Sequence, residues 1–513
     1  MRIRIAGAGV MGRGIAQWAV TAGHTVELCD ARSEAVTEAV RFVGSMLDRA
    51  TQKGQMTAEA ASSSMERLIP LVDPAAPGEE VELVIEAVRE DLATKAELFR
   101  QLEEALPART VFATNTSSLP VTQIAAGLSD PSRLAGLHFF NPVPLMKIVE
   151  VVSGVLTRPD IPPALAELVR ETGHSAVVVA DTPGFLINHA GRALVTEAFA
   201  LLEETVSDTA GIDRIARDVL GLRMGPFELM DLTGLDVTAA VIDSIWSGFR
   251  YSDRLRPSFL TPNRVAAGLH GRKTGRGFYD HGPDVPAPAA LAEQPVHGDA
   301  ARPVLVHGEG SNADALRQAL NDSGAVLETG SEPSPGAVVL VPTWGTTVAS
   351  AVAANGLPPK RVLGVDPLSL PTRRRVLAIT PASDPAVVRD AQAVLALAEG
   401  AAEPRRVSVV RDTAGSVAQR LLASIVGVAA SIAERSIAAP DAIDMAVTAG
   451  LGYPVGPLEW GDRVGTQRLL SLQERLYRGT GDPRYRPTRW VTERAQLGLP
   501  LTEPGTVPPH VGI

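Results

Sequence analysis

The sequence predicts an α/β fold: a mostly parallel sheet domain, an all-helical domain behind it, and a shortened, degraded copy of both. Three observations predict it. Short apolar runs alternate with helical patterns over roughly the first third of the chain. The first run passes directly into a glycine turn and a helix. Two short motifs recur 231 positions further on.

Ile3 to Ala6 reads as a short buried strand, followed at once by Gly7-Ala8-Gly9-Val10-Met11-Gly12. A helical pattern (Ile15, Ala16, Ala19, Val20) comes next, then the strand Thr25 to Cys29, which ends at Asp30. Gly7 permits a tight turn. Gly9 has no side chain to obstruct a pyrophosphate seated on the helix N-terminus, beside Val10 and Met11. Gly12 lets helix and strand pack closely, and Asp30 can accept hydrogen bonds from an adenosine ribose. This is the pattern of a Rossmann-type dinucleotide-binding domain. Asp30 repels a 2'-phosphate, which favours NAD over NADP, with Arg32 as a nearby counterweight.

Val81 to Glu86, Thr110 to Ala113, Leu134 to Phe140 and Ile148 to Val152 read as further strands, and Leu92 to Leu106 as a helix. Residues 41 to 69 read as a helical insertion between the second and third strands, placed to cover a cofactor or substrate. Ligands of open parallel sheets bind beyond the carboxyl ends of strands. Asn115-Thr116-Ser117-Ser118 and His138 stand at such ends. Oxidising an alcohol needs a base for the hydroxyl proton, and histidine suits that near neutral pH. Glu150 is an acid inside an otherwise apolar strand, which is costly unless it is paired. A carboxylate behind His138 would fix its tautomer and stabilise the imidazolium. The alternative for His138 is a loop histidine held by hydrogen bonds. No metal site is expected.

Asn115-Thr-Ser-Ser, Gly136-Leu-His-Phe-Phe-Asn-Pro-Val-Pro, the strand Lys147 to Val151, Asp181-Thr-Pro-Gly-Phe-Leu-Ile-Asn188 and Arg272-Lys-Thr-Gly-Arg-Gly-Phe-Tyr279 together resemble the 3-hydroxyacyl-CoA dehydrogenases. The resemblance runs from residue 1 to about 281. It implies His138 as general base, Glu150 as its partner, and Ser117 and Asn188 hydrogen-bonded to the reacting oxygen of the substrate or its surroundings. It implies NAD contacts from Glu90, Lys95, Asn115, Asn141 and Lys273. Glu90 and Lys95 read equally well as an exposed pair at a helix start, and Lys273 as a loop charge.

Beyond Thr182 the pattern is helical. Phe185 to Glu203 reads as one helix, and Gly225-Pro-Phe-Glu228 starts another. Asn188 would then face the dinucleotide domain across a cleft. Residues 282 to 302 form a proline-rich linker. Asp412-Thr-Ala-Gly then answers Asp181-Thr-Pro-Gly, and Gly456-Pro-Leu-Glu answers Gly225-Pro-Phe-Glu. Asp462 and Gly465 answer Asp231 and Gly234. Val304 to Gly310 resembles the first strand and turn, with Ala313 in place of the third glycine. At an offset of 228, Ser117 becomes Gly345, His138 becomes Asp366 and Glu150 becomes Ala378, while Asn188 becomes Gln419 in the helical repeat. That copy has lost its chemistry.

The resulting domains are 1–182 (Rossmann-type, NAD-binding), 183–281 (helical, like the C-terminal domain of the dehydrogenases), 282–302 (linker), 303–411 (degenerate, truncated Rossmann-like), 412–492 (second helical) and 493–513 (tail). Doubled helical domains resemble the subgroup that oxidises 3-hydroxyadipyl-CoA in bacterial phenylacetate breakdown. A short-chain 3-hydroxybutyryl-CoA enzyme is the alternative, and a noncatalytic dinucleotide-binding protein is the reading from another class. Arg223, where the second copy has Pro454, is the candidate for binding a tail carboxylate; otherwise it faces solvent or pairs with Asp218.

Composition narrows the rest. Hydrophobic residues make up 45% and charged residues 21%, enough for several cores. A net charge of -10 argues against a nucleic-acid partner. Cys29 is the single cysteine, so no intrachain disulfide forms. The Met1 to Gly7 run does not read as a signal peptide, and no apolar run reads as a membrane span, so a soluble cytoplasmic protein is expected. The expected partners are an acyl-CoA substrate and a second helical domain, in a homodimer or within the chain as a pseudo-dimer.

Overall fold

The computed structural model describes residues 1–288, 292, 293, 295–398 and 403–506. They form two compact units, Met1–His189 with Arg435–Leu451, and Ala190–Glu434 with Gly452–Glu503.

The first unit holds one eight-stranded sheet: β1 (Arg2–Ala6), β2 (Thr25–Cys29), β3 (Leu68–Leu71), β4 (Val81–Glu86), β5 (Val111–Thr114), β6 (Leu134–Phe139), β7 (Ile148–Ser153) and β8 (Ser175–Ala180). The order is β3-β2-β1-β4-β5-β6-β7-β8. β1 to β6 are mutually parallel, while β7 and β8 run the other way. β6 is buried along its whole length, which explains its unbroken Leu-Ala-Gly-Leu run in place of alternation. The chain leaves β1 toward β2 and β3, then returns to β4 on the opposite side. The crevice for a ligand therefore opens at the carboxyl ends of β1 and β4.

The insertion differs from expectation. Its helices span Ser33–Gln52 and Ala58–Glu66, and Leu68 already belongs to β3. The first helix starts early because its apolar face does: Ala35, Val36, Ala39, Val43 and Leu47 are buried at helical spacing.

The second unit contains a five-stranded sheet, β9 (Val304–Val306), β10 (Val338–Pro342), β11 (Val362–Val365), β12 (Arg374–Ile379) and β13 (Arg406–Arg411), in the order β13-β12-β11-β10-β9. β11 and β12 are antiparallel and the other pairs parallel. This repeats the pairing of β4 to β8. It corrects the expected match of Val304–Gly310 to the first strand: β9 lies beside the counterpart of β5, which is the place of β4. Among its described residues the degenerate segment has no counterpart of the first three strands.

Shared anchors mark the duplication. Asp181 accepts hydrogen bonds from the N–H groups of Val121 and Thr122, at a helix start in the first unit, at 3.0 and 2.7 Å. Asp412 does the same for Val348 and Ala349 in the second, at 2.7 and 2.9 Å. Asp231 accepts from the N–H groups of Phe278 and Tyr279, both at 2.9 Å, and Asp462 accepts from those of Leu501 and Thr502. The tail drawn from residue 493 therefore starts too early. A helix spans Arg489–Leu497, and Leu501 is fully buried. The linker between 282 and 302 has no α-helix or strand among its described residues.

One expectation about apolar runs is overturned. The helix Ser416–Glu434 is long and apolar enough, by length and composition, to cross a membrane. Its buried faces explain this, since its residues from Ser416 to Ala433 all lie inside the protein.

Candidate active site

The glycine turn matches its expected geometry. Gly7 has φ +108°, and a Cβ there would lie 2.4 Å from the Ala87 carbonyl oxygen. A Cβ on Gly12 would lie 1.7 Å from the carbonyl oxygen of Gly7. Gly9 is the opposite case: a Cβ there would meet nothing within 4 Å, so its bareness serves no internal packing. It caps the helix Val10–Thr21, whose first turn, including Val10 and Met11, carries no acid to compete with a bound anion. Asp30 Oδ2 accepts from Ala8 N–H at 2.8 Å, which ties the end of β2 to the turn.

His138 and Glu150 stand directly opposite each other in the antiparallel β6–β7 pair. His138 Nδ1 donates to Glu150 Oε2 at 2.6 Å, with the glutamate fully buried. The other carboxylate oxygen accepts from the N–H groups of Leu186 and Ile187 at 3.0 and 2.7 Å. These bonds tie the carboxylate to the start of the helix Ile187–Glu203. Glu150 holds the proton on Nδ1, so Nε2 is the basic nitrogen. The Phe140 ring lies 4.3 Å from the imidazole, centroid to centroid, and the Phe185 ring 5.8 Å. Asn188 follows Ile187 and is half-buried.

Ser117 is exposed, in the loop after β5. Its N–H donates to Glu90 Oε1 at 2.9 Å, and the same oxygen accepts from the Thr116 hydroxyl at 2.6 Å and from Ser118 N–H at 3.1 Å. Burial pushes the Glu90 carboxyl up, but the Thr116 bond, Lys95 and Ser117 N–H outweigh it and hold it below its ordinary value. Asn115 Oδ1 accepts from Phe139 N–H at 2.8 Å and so links the ends of β5 and β6.

Lys95 is 1% exposed, so it is not half of an exposed pair. Its ammonium donates to Glu86 at 2.6 Å and lies 3.2 Å from Glu90. Lys273 belongs to the second unit and pairs with Asp236. Asn141 is exposed and lines a cleft of about 570 Å³ in the first unit. The helices Val10–Thr21 and Ser33–Gln52 and the loop from Asn141 to Lys147 bound that cleft, and Arg13, Arg49, Lys53 and Lys147 line it. Arg13 stacks 4.0 Å over the Phe42 ring, and among the described residues its buried Nε has no hydrogen-bond partner.

Sequence reasoning missed Glu86, although an acid at the end of an apolar strand is the signal that singled out Glu150. It also put Ala378 in the place of Glu150. The register Gly364–Ala378 and Val365–Leu377 puts Val376, not Ala378, opposite Asp366, because this pairing is two residues tighter than that of β6 and β7. Either residue is apolar. Gln419 closes the copied site: Nε2 donates to Asp366 at 2.8 Å and to the Thr343 carbonyl at 2.7 Å, and Oε1 accepts from Gly345 N–H at 2.8 Å. A side chain at Gly345 would put its Cβ 2.8 Å from the Arg475 Cβ.

Comparison with known proteins places these features. The family model for the NAD-binding domain of 3-hydroxyacyl-CoA dehydrogenase matches residues 2–182. The model for the C-terminal domain of the same enzymes matches twice, at 184–281 and 415–504. The chain is 36% identical to 3-hydroxyadipyl-CoA dehydrogenase of Escherichia coli K12, over 96% of this chain and 97% of that protein. It is 38% identical to a probable 3-hydroxybutyryl-CoA dehydrogenase of Bacillus subtilis, over 55% of this chain and 97% of that protein. A crystal structure of 3-hydroxybutyryl-CoA dehydrogenase from Escherichia coli K12 superimposes with a TM-score of 0.82 at 34% identity, covering 97% of this chain and 98% of that one.

Proposed function

This chain belongs to the 3-hydroxyacyl-CoA dehydrogenase family and is an NAD-dependent oxidoreductase of that kind; from this premise we propose that His138 is its catalytic base and 3-hydroxyadipyl-CoA its substrate. His138 Nε2 takes the proton of the 3-hydroxyl. Glu150 holds the imidazole by Nδ1 and stabilises the imidazolium that forms. Ser117 and Asn188 hydrogen-bond the reacting oxygen or its surroundings. NAD, when bound there, would supply the acceptor for the hydride that leaves C3. The glycine turn, Asp30, Glu90, Asn115 and Asn141 would hold or flank it, and Lys95 would act at one remove, through the carboxylates it pairs with. The cationic cleft beside Arg13 suits the phosphates of an acyl-CoA.

The observation that carries the substrate is collinearity. The E. coli 3-hydroxyadipyl-CoA dehydrogenase matches through the second half, beyond where the shorter relatives stop. The E. coli structure described as a 3-hydroxybutyryl-CoA dehydrogenase covers the chain equally well, and it supports the second reading. Rates of NADH formation with the two acyl-CoAs test both. A higher kcat/KM for 3-hydroxybutyryl-CoA would reverse the order of preference, and no turnover of either would leave dinucleotide binding as the function.

A further inference from the structure

Glu86 ends β4, and its side chain is wholly buried. Oε1 accepts from Lys95 Nζ at 2.6 Å and from Val88 N–H at 2.7 Å, while Oε2 accepts from the Thr114 hydroxyl at 2.6 Å. The Lys95 ammonium is buried too, and its other carboxylate is Glu90, at 3.2 Å. Glu90 in turn gathers the Thr116 hydroxyl, the N–H groups of Ser117 and Ser118, and the Ser118 hydroxyl. The network thus runs from the end of β4 through one ammonium to the loop that carries Ser117.

Stability does not explain this arrangement. A buried ion pair rarely outperforms apolar side chains of similar size, because both ions lose their hydration. Here two carboxylates share one ammonium. Burial pushes Glu86 up from the ordinary carboxylate range, against the pull of Lys95 and Thr114. The arrangement does specify position. Lys95 fixed by Glu86 has one place to meet Glu90, and Glu90 so placed has one place to receive Ser117. The same strand end also abuts the glycine turn, since Ala87 N–H donates to the Ala6 carbonyl at 2.7 Å.

We propose that Glu86 is a positioning residue for Ser117, acting through Lys95 and Glu90. This rests on the reading of Ser117 as a residue that binds the reacting oxygen. Glu86→Gln preserves shape and leaves an oxygen for Thr114 or Val88, but it removes the charge that fixes Lys95. A shift of about 1 Å in a positioned group can cost on the order of 100-fold in rate, so kcat should fall by about 10- to 100-fold.

The test is a double-mutant cycle with Ser117→Ala, read by kcat, with NAD affinity followed by titration and folding by Tm. The expected result is that Glu86→Gln lowers kcat at saturating NAD in the parent and has little further effect in the Ser117→Ala background. If Glu86→Gln proves too unstable, Glu86→Gln with Lys95→Met removes the orphaned ammonium. That pair should regain Tm without regaining kcat, whereas a merely structural role would recover both. An equal loss of kcat in both Ser117 backgrounds would overturn the role of Glu86, as would an unchanged kcat in a folded Glu86→Gln. A Ser117→Ala variant with parental kcat would instead overturn the reading of Ser117, and the positioning role with it.

Discussion

The Ser424 hydroxyl donates to the Ala193 carbonyl at 3.0 Å, across a separation of 231 positions. The same offset relates Asp181 to Asp412 and Asp231 to Asp462. Ser424 and Ala193 are therefore counterparts, and a contact between counterparts lies on the axis that relates two copies. Arg254 repeats the relationship: its guanidinium donates to the carbonyls of Arg484 and Arg486, on either side of its own counterpart Tyr485. Within the second unit, the helix Ser416–Glu434 meets the helix Ile187–Glu203 along the part of it from Ala193 to Glu197.

That interface contains a buried acid on which its stability should depend. Glu197 is fully buried and accepts from Arg420 Nε at 2.7 Å and from the Tyr485 hydroxyl at 2.6 Å, with Arg484 at 3.4 Å. Glu197→Ala leaves two buried guanidinium groups without this acid. Breaking a buried pair from one side costs about 3–5 kcal/mol, so calorimetry should show a clearly lower Tm. If the second half is a scaffold, kcat measured well below the transition should stay near that of the parent. A preserved Tm with a collapsed kcat would contradict the scaffold reading.

The catalytic pair separates from the cofactor site by experiment. His138→Gln removes the base, and a lost general base typically costs about 10²–10⁴-fold in rate. NAD affinity should stay within a few-fold, because the glycine turn is untouched. Glu150→Gln should also lower kcat, by weakening the orientation and charge stabilisation of His138. Near-parental turnover by His138→Gln would remove it from the mechanism.

The copied site offers a test by pH. Asp366 is 1% exposed, and burial pushes its carboxyl up to about 6, although Gln419 and Leu368 N–H pull it down. Among the described residues its Oδ2 has no hydrogen-bond partner. The folded protein thus binds this proton more tightly than the unfolded chain, whose carboxyl titrates near 3.8. Stability from this group is full below the lower value and falls as pH rises to about 6, then levels off. Asp366→Asn should therefore raise Tm at pH well above 6 and do little near pH 4. The difference between 3.8 and about 6 corresponds to about 3 kcal/mol at most, and the new amide, which also needs partners, reduces it. An equal change in Tm at both pH values would show that charge burial is not the cause.

The sequence made His138 and Glu150 legible because an acid in an apolar strand demands a partner, and the antiparallel turn of the chain returns it opposite the histidine. Lys95 was harder to read. Its spacing from Glu90 is the same whether it faces a ligand or two carboxylates, and only the fold brings Glu86 to it. The identity of β9 depended on which strand lies beside it, which a three-residue apolar run does not encode. The true end of the second copy depends on Asp462 capturing Leu501 and Thr502, a contact across about forty residues with no periodic signature.

Arg223 faces solvent, one of its two alternatives, and tail binding by it is a proposal that mutation tests. Asp218, the acid that Arg223 would otherwise pair with, is held by Arg374 at 2.8 Å. Arg223 itself is exposed beside Gly452, where an added Cβ would lie 3.8 Å from its Cδ and Nη1. A guanidinium so placed can take a carboxylate in a bidentate bond, and charge-assisted bonds contribute about 1.5–3 kcal/mol net, or roughly 10- to 150-fold in affinity. Arg223→Ala should then lower kcat/KM for 3-hydroxyadipyl-CoA by about 10-fold or more and barely change it for 3-hydroxybutyryl-CoA, which has no distal charge. Arg223→Lys should fall between the two, since lysine keeps the charge and loses the fork. Equal losses on both substrates would make Arg223 a structural residue. No loss on either would leave any preference for the dicarboxylate thioester to be explained by other groups.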